Sequence, residues 1–382
     1  KANKGKDMTD KNYKKLLLVT AMTASLNAQA GVELMSSTIN GEETKVALGG
    51  YAKVDVRHVQ GDIAYQDYWV ANFPSGNAVD TSHTGFNVKE SRLNFKVQHG
   101  DVTGFVEFDM YGGGGNEVVS NSSNPRLRHF YINYKNWMVG QNWTTFMPLH
   151  ALPETLDFGG PHVGEVFIRQ TQVRYTHGAW QFAIENPETN GDGDIGAPSS
   201  AVGVTGPQAD KDESIPDFVA RYNHKADWGT LSVGTLFRQI DQGGLDEFSV
   251  SANIAGRIKT VGKDDFRFQA TFGEPGRYVA AGMTPDIVVI DQNTEQTAVE
   301  STTAYTVAYR HFWTENLRST LFYGAAETDE LERKRAHWGI NLMTDVTSHL
   351  TTGVELGNYA IKDKGIESIN SNYLQFSAKY SF

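Results

Sequence analysis

The 382-residue chain has no cysteine, few prolines and, after residue 30, no long apolar run. Without cysteine it can form no disulfide. A transmembrane helix needs roughly 18 consecutive apolar residues, so the sequence beyond residue 30 holds no helical membrane span. The 11 prolines are outnumbered by 38 glycines, and aromatic residues make up 11% of the chain, which favours many strands joined by tight turns.

Sequence motifs for catalysis or cofactor binding are also missing. The glycine run at 112–115 lacks the Lys-Ser/Thr pair of a phosphate-binding loop. The 11 histidines show no metal-ligand spacing, so His150 and His162 are not predicted to be metal ligands. We therefore expect no cofactor, no bound metal, no nucleic acid partner and no enzymatic activity.

The C-terminal end of the chain alternates strictly between apolar and polar residues. The apolar side holds Leu374, Phe376, Ala378, Tyr380 and Phe382, and the polar side holds Gln375, Ser377, Lys379 and Ser381. A period of two is that of a strand with one apolar face. A terminal strand that ends on an aromatic residue resembles the closing strand of a bacterial outer-membrane β-barrel, in which every second residue faces lipid.

The N-terminal end has the features of a secretory signal peptide. After Met8, three lysines precede the apolar run 16–26 and the sequence Ala28-Gln29-Ala30. We predict cleavage after Ala30 and localisation in the bacterial outer membrane. The chain is accordingly divided into upstream residues 1–7, a signal peptide 8–30, a short N-terminal segment 31–44 and a β-barrel domain 45–382.

Short polar turns and longer loops alternate along the rest of the chain. The turns lie at 99–101, 135–137, 177–179, 225–229, 259–265, 312–316 and 345–349, and the loops near 59–84, 111–125, 147–167, 186–215, 240–246, 280–300, 325–334 and 359–368. Seven turns that alternate with eight loops require sixteen strands. We predict an all-β fold, a sixteen-stranded antiparallel transmembrane β-barrel with an aqueous lumen. The alternative, two soluble β-sandwich domains, would not explain the signal peptide or the terminal Phe382.

The apolar face of each predicted strand determines which residues face inward. The inward cations are Lys53, Arg57, Arg92, Arg174, Arg221, Arg238, Arg257, Arg267, Arg310 and Arg318. Fixed positive charge in a narrow aqueous passage concentrates anions, and a guanidinium binds carboxylate or phosphate through its planar fork. The alternative is that these cations pair with wall carboxylates and only stiffen the wall; the candidates are Asp55, Glu107, Asp109 and Glu355.

The fourth predicted strand leaves two interpretations open. Arg126 and Arg128 have the same parity as Phe130, Ile132 and Tyr134. Either these three residues line the lumen, or the two arginines lie above the membrane.

Compared with the loop at 188–214, the loop at 147–167 carries many apolar residues, namely Leu149, Leu152, Leu156, Phe158, Val163 and Phe167. A loop folded into the lumen would bury them, because irregular backbone is tolerated at membrane depth where it lines an aqueous cavity. We then expect the constriction to hold His150, Glu154, Asp157, His162 and Glu165, with the carboxylates facing arginines across it. The alternative is an extracellular loop that contacts a neighbouring subunit.

The segment WMVGQNWTTFMPLHALPETLDFGGP (137–161), followed by IRQTQVRYT (168–176), resembles the DcaP-like porins. The resemblance is best over two predicted strands and the loop between them. It implies a homotrimeric, sixteen-stranded porin with an arginine-lined constriction that favours anions such as dicarboxylates. Members of that family can carry a periplasmic coiled coil before the barrel, but residues 31–45 show no heptad pattern.

The sequence therefore predicts an outer-membrane porin through which small hydrophilic solutes, preferentially anions, diffuse passively. The expected partners are outer-membrane lipid and lipopolysaccharide, small anionic solutes and further copies of the chain in a homotrimer. The alternatives are a barrel enzyme of the lipase or protease type, or an adhesin or receptor barrel. A barrel enzyme would need a nucleophile and base near its rim, and no motif identifies such a pair.

Overall fold

The computed structural model describes residues 31–69, 78–114, 118–189, 213–242, 245–279, 286–291 and 296–382. The predicted signal peptide and the residues upstream of it lie outside the described residues. The strands are β1 (Val32–Ile39), β2 (Glu42–Gly61), β3 (Thr81–Asn87), β4 (Arg92–His99), β5 (Val102–Asp109), β6 (Arg126–Tyr134), β7 (Trp137–Trp143), β8 (Arg169–His177), β9 (Trp180–Glu185), β10 (Asp217–Ala226), β11 (Gly229–Gln242), β12 (Leu245–Lys259), β13 (Asp265–Gly273), β14 (Ile287–Asp291), β15 (Gln296–Val299), β16 (Thr302–Phe312), β17 (Leu317–Thr328), β18 (Lys334–Asp345), β19 (Leu350–Lys362) and β20 (Ile369–Ser381). Three short 3-10 helices span Leu149–Ala151, His162–Gly164 and Gly276–Tyr278. Within the described ranges, no helix is long and apolar enough to cross a membrane.

Sixteen of these strands close into one antiparallel barrel, as predicted. The ring runs through β2, β4 to β13 and β16 to β20, and β20 pairs back onto β2 with Tyr51 opposite Ser381. Strand β3 pairs with the second half of β2, and β14 and β15 form a separate hairpin. That hairpin falls in the predicted loop 280–300, whose sequence did not indicate regular structure.

The terminal strand has the two faces that its sequence predicts. Leu374, Phe376 and Tyr380 are about half exposed, whereas Gln375 and Ser377 on the other face are 2% exposed. Polar residues are thus buried inside the barrel and apolar residues lie on its outer surface. This is the reverse of a soluble protein and the arrangement that lipid requires.

Two predicted loops are partly strand. Strand β11 runs to Gln242 and β12 begins at Leu245, within the loop predicted at 240–246. Likewise β17 extends to Thr328 and β18 begins at Lys334, so half of the loop predicted at 325–334 is strand. Polar composition does not end hydrogen bonding between strands, which continues where side chains meet water rather than lipid.

The N-terminal segment predicted at 31–44 contains a strand. Strand β1 pairs with the first residues of β2, from Val32 opposite Leu48 to Ile39 opposite Glu42. The turn between them is Asn40-Gly41, with φ values of 52° and 85°, a pair that favours two-residue hairpins. The backbone of Phe382 bonds to Gly50, so β1 continues along the same edge of β2 where the C-terminus stops.

A β-bulge answers the question left open by the fourth predicted strand. Glu107 pairs with His129 and the next residue, Phe108, pairs with Leu127, so Arg128 is the extra residue. The bulge reverses the parity of β6 at this point. Arg126 and Arg128 therefore point inward while Phe130 remains on the outer surface, 62% exposed.

Candidate functional site

The inward arginines differ in whether a carboxylate contacts them. On one side of the barrel every inward arginine is paired, and we call this group the paired arginine wall: Arg257, Arg267, Arg310 and Arg318 of β12, β13, β16 and β17. Asp265 lies 2.9 Å from Arg257, 2.6 Å from Arg267 and 2.6 Å from Arg310. One buried carboxylate therefore serves three guanidinium groups.

Glu154, from the loop between β7 and β8, completes the paired arginine wall. Its carboxylate lies 2.8 Å from Arg310 and 2.7 Å from Arg318, and Arg318 also contacts Asp345 at 2.8 Å. Burial alone would raise the pKa of Glu154, but hydrogen bonds and the charges of Arg318 and Arg310 lower that pKa to about 2. Glu154 is thus ionised at neutral pH and bound to the wall rather than facing it across a gap.

Arg57 and Lys53, both on β2, are also paired and buried. Arg57 forms an ion pair with Asp157 and lies between the rings of Trp69 and Tyr373, 4.7 and 4.5 Å from their centroids. Lys53 pairs with Glu90 and donates to the carbonyl of Leu156 at 2.9 Å. At 1% and 5% exposure, these two predicted pore-lining residues hold loops in place instead of lining an open passage.

Arg238 is 1% exposed and forms two hydrogen bonds with Asp286, at 2.5 and 3.0 Å. The Asp286 carboxylate comes from the segment before β14, so Arg238 fastens that outer hairpin to β11. Its predicted position in a lumen-facing row of cations is therefore wrong.

Arg126 and Arg128 pair with carboxylates of the adjacent strand β5. Arg126 contacts Asp109 at 2.6 Å, and Arg128 contacts Glu107 at 2.8 Å and Asp109 at 2.9 Å. Arg92 is 3.9 Å from Glu107. Three cations thus share two carboxylates, and this part of the wall keeps a positive excess.

The strands β8 and β10 carry inward arginines that no carboxylate contacts. We call this group the open arginine wall: Arg169, Arg174 and Arg221. Among the described residues, no carboxylate oxygen lies within 4.0 Å of these three guanidinium groups. Arg174 donates to Thr145 Oγ1 at 2.7 Å and to the carbonyl of Trp143, and Arg221 donates to the carbonyl of Met147. These acceptors are neutral, so they satisfy hydrogen bonds without forming an ion pair; the Glu185 carboxylate acts on Arg174 and Arg221 only from beyond 4.0 Å.

Arg169 was not predicted as a site residue. Its guanidinium lies 4.9 Å from the centroid of the Trp143 ring, and its Nη1 has no hydrogen-bond partner in the part of the chain that the structure describes. The sequence feature that could have indicated Arg169 is its position in the segment 168–176, which follows the apolar loop directly and belongs to the family resemblance. Period-two parity gave no reason to select it.

Two buried carboxylates hold the backbone of the loop 144–168. Near the start of the loop, Glu185 accepts from Thr144 Oγ1 and from the Thr145 amide, both at 2.7 Å. Near its middle, Glu355 accepts from the amides of Leu156 and Asp157 at 2.7 and 3.3 Å. Neither carboxylate contacts an arginine within the described ranges, so the pairing suggested for Glu355 is wrong.

Wall side chains also bind the carbonyls of this loop at several points around the ring. Arg221 of β10 binds Met147, Arg267 of β13 binds Leu152, and Gln375 of β20 binds Leu156. The apolar residues of the loop are buried: Leu152, Leu156, Phe158 and Val163 are at most 8% exposed. The loop thus follows the inward faces of strands from β10 to β20.

The remaining predicted loop residues are Glu165, His150 and His162. Glu165 is fully buried, and its carboxylate has no hydrogen-bond partner among the described residues. Burial raises the pKa of Glu165 well above its usual value, and burial lowers the pKa of His150 to about 4 and of His162 to about 3. Both imidazoles are therefore neutral at neutral pH, and the expectation that Glu165 faces an arginine across the constriction stays a prediction.

No group of three or more metal-ligating side chains occurs in the described ranges.

A family model and several solved structures match the chain. The model described as DcaP outer membrane protein matches residues 19–186. The outer membrane channel DcaP of Acinetobacter baumannii aligns with a TM-score of 0.74 and 23% identity over 89% of this chain and 97% of that chain. No curated protein matches the chain significantly.

Two further structures share the barrel at lower identity. An anion-selective porin from Comamonas acidovorans aligns with a TM-score of 0.54 and 12% identity, covering 89% of this chain and 100% of that one. OmpF of Salmonella typhi, in complex with daunomycin, aligns with a TM-score of 0.56 and 13% identity, covering 91% and 100%. The predicted resemblance is therefore confirmed: the model of the DcaP outer membrane protein family matches residues 19–186, and the chain has the fold of an outer-membrane porin.

Proposed function

We propose that this porin passes small hydrophilic solutes by passive diffusion and prefers anions, in particular organic carboxylates. The observation that carries the proposal is the open arginine wall, where Arg169, Arg174 and Arg221 have no carboxylate within 4.0 Å among the described residues. Uncompensated fixed charge in an aqueous passage attracts counter-ions and repels co-ions.

The loop 144–168 narrows the passage in this proposal. Its attachment points run from β10 to β20, and its buried apolar side chains support a position against the inner wall. The loop also reaches β4, β6 and β8: its Phe158 ring centroid lies 5.7 and 5.6 Å from the guanidinium groups of Arg92 and Arg128, and Thr145 accepts a hydrogen bond from Arg174. The narrowed passage in this proposal runs beside these arginines.

The protein acts as a homotrimer after removal of residues 1–30, with the barrel in the outer membrane among lipid and lipopolysaccharide. The outer belt of half-exposed aromatic residues supports the membrane position, since tryptophan and tyrosine favour the interface. Trp137, Trp180, Trp228 and Trp313 lie beside the predicted periplasmic turns and are 43–60% exposed.

Liposome swelling tests the proposed function. Liposomes that contain the protein should swell fastest with a small dicarboxylate, more slowly with a neutral sugar of similar size and slowest with a diamine. Equal rates for the three solutes would overturn the anion preference. Absence of swelling together with hydrolysis of the liposome lipid would instead favour a barrel enzyme.

A further inference from the structure

Four lysines face the lumen near the end of the barrel that carries the short turns. We call them the periplasmic lysine group: Lys96 of β4, Lys225 of β10, Lys259 of β12 and Lys379 of β20. Each follows, by two or four residues in the same strand, a side chain that contacts groups inside the barrel. Those side chains are Arg92, Arg221, Arg257 and Gln375. Because the side-chain period of a strand is two, the lysines point inward as well.

Ion pairs do not neutralise these four ammonium groups. Among the described residues, no carboxylate oxygen lies within 4.0 Å of them. The three lysines of β4, β10 and β12 are exposed. Lys379 is half-buried, with its Nζ 5.6 Å from the centroid of the Tyr51 ring, and Glu90 and Glu154 act on it only from beyond 4.0 Å. The group therefore adds positive charge to this mouth of the barrel.

Two inward carboxylates at this end already have cationic partners. Asp265 contacts three arginines of the paired arginine wall, and Asp345 contacts Arg318 at 2.8 Å. A cavity of about 620 Å³ is lined by Arg318, Asp345 and Lys379 among others. Lys379 therefore reaches the open mouth, where a passing solute meets its charge.

The opposite end of the barrel carries many groups of the other sign. Exposed carboxylates lie on or beside its loops: Asp62, Asp80, Asp246, Glu247, Asp329 and Glu330. Two of the exposed lysines at that end have glutamate partners, since Lys334 contacts Glu327 and Lys364 contacts Glu332 at 2.9 Å. The fixed charge is thus polarised along the barrel axis, with the periplasmic lysine group at the positive end.

We propose that the periplasmic lysine group makes the channel rectify, so that it carries more current at one voltage polarity than at the other. The proposal rests on the proposed passive diffusion and adds the residues that make it directional. Fixed cations at one mouth raise the anion concentration there, and the polarity decides whether those anions are driven into the lumen or out of it. Lysine suits this role, because its hydrated ammonium attracts an anion without the planar fork through which a guanidinium holds one.

Current–voltage curves of single channels, with the same KCl solution on both sides, test the proposal. At about 0.1 M KCl we expect the larger of the two currents at about 100 mV of either sign to exceed the smaller by about 1.5- to 3-fold. At about 1 M KCl, where the Debye length is about 3 Å, the two currents should become nearly equal. Equal currents in dilute salt, from a channel whose reversal potential is anion-selective, would overturn the inference and leave the proposed function standing. Absence of conductance would overturn both.

Substitutions show whether the lysines cause the asymmetry. Lys96→Gln, Lys225→Gln, Lys259→Gln and Lys379→Gln made together should bring the current ratio in dilute salt close to one. Arginine at the same four positions keeps the charge, so this control should rectify like wild type. A variant that changes only the three exposed lysines covers the case in which the fourfold variant does not fold, and its ratio should fall most of the way to one. A folded glutamine variant that rectifies like wild type would overturn the inference.

A single thiol reads the local potential independently of the current. The chain has no cysteine, and Gln98→Cys places one at an exposed position of β4, two residues after Lys96 and on the same face. An anionic methanethiosulfonate should react faster than a cationic one by about fivefold, relative to their rates with a free thiol. The preference should disappear when glutamine replaces the four lysines. Equal relative rates in the otherwise wild-type channel would contradict a positive mouth.

Discussion

Arg310 of the paired arginine wall contacts two carboxylates, whereas Arg174 of the open arginine wall contacts none within the described ranges. Both side chains belong to strands of the same barrel and both point inward. The difference lies in the neighbours: Glu154 and Asp265 meet Arg310, while hydroxyl, amide and carbonyl oxygens meet Arg174. The same residue type thus fastens the loop on one side and leaves net charge on the other.

The comparison shows that counting inward arginines overstates the charge that a solute meets. An ion pair presents a dipole whose field falls off quickly, whereas an unpaired guanidinium presents a full charge. A solute passing the barrel would therefore be attracted mainly toward β8 and β10, and the position of the uncompensated cations sets the preference.

Reversing charge on the open arginine wall should have the largest effect. Arg169→Glu with Arg174→Glu makes the wall more negative by four charge units. Each unit changes the energy of an ion about 8 Å away in water by about 0.5 kcal/mol. We expect the anion-to-cation permeability ratio to fall by about tenfold or more, measured as a reversal potential under a salt gradient. Lys362→Glu with Lys364→Glu, which changes the same charge on the outer rim, is the control and should leave the ratio nearly unchanged.

Removing the negative charge of Glu154, which Arg310 and Arg318 share, should make the paired arginine wall resemble the open arginine wall. Glu154→Gln leaves Arg310 and Arg318 with Asp265 and Asp345 alone. One charge removed beside the passage should raise the permeability ratio for anions by about two- to fivefold. A lowered ratio in bilayer recordings would show that Glu154 does not compensate these arginines.

Releasing the loop from the wall should change its mobility more than the selectivity. In Glu355→Gln an amide replaces a carboxylate that accepts from Leu156, Asp157, Asn341 and Tyr373. Lost or mismatched buried hydrogen bonds should lower the free energy of unfolding by about 2 kcal/mol and add current fluctuations to single-channel traces. Glu367→Gln, at an exposed outer position, is the matched control. Traces as quiet as those of wild type would show that Glu355 does not hold the loop.

Removing a whole ion pair should have the smallest effect on selectivity. Glu154→Gln with Arg310→Gln keeps the net charge of the paired arginine wall constant. The permeability ratio should then stay within about twofold of wild type. A shift as large as that of the charge reversal would contradict the distinction between the two walls.

Much of the barrel could be predicted from the sequence, because alternation is a local property of each strand. The faces of β20 and the inward positions of Arg174 and Arg221 follow from parity alone. Parity failed at Arg128, where a bulge inserts one residue into β6. No local pattern marks such an insertion, since it depends on pairing with β5.

The partners of the inward cations could not be predicted. Asp157 lies 100 residues from Arg57, and Asp286 lies 48 residues from Arg238. These pairs form only because loops fold back onto the wall, which is a tertiary property. By contrast, strand β1 could have been predicted, because Asn40-Gly41 is a sequence signal for a two-residue hairpin turn.

The reversal potential of the wild-type protein in a planar bilayer, recorded under a KCl gradient at low ionic strength, tests the central claim most directly. Screening is weakest there, with a Debye length of about 30 Å at roughly 0.01 M salt, so fixed charge has its greatest influence. The open arginine wall predicts a potential of the sign given by chloride permeation, which shrinks as salt is raised. A potential of the sign given by potassium permeation would contradict the account.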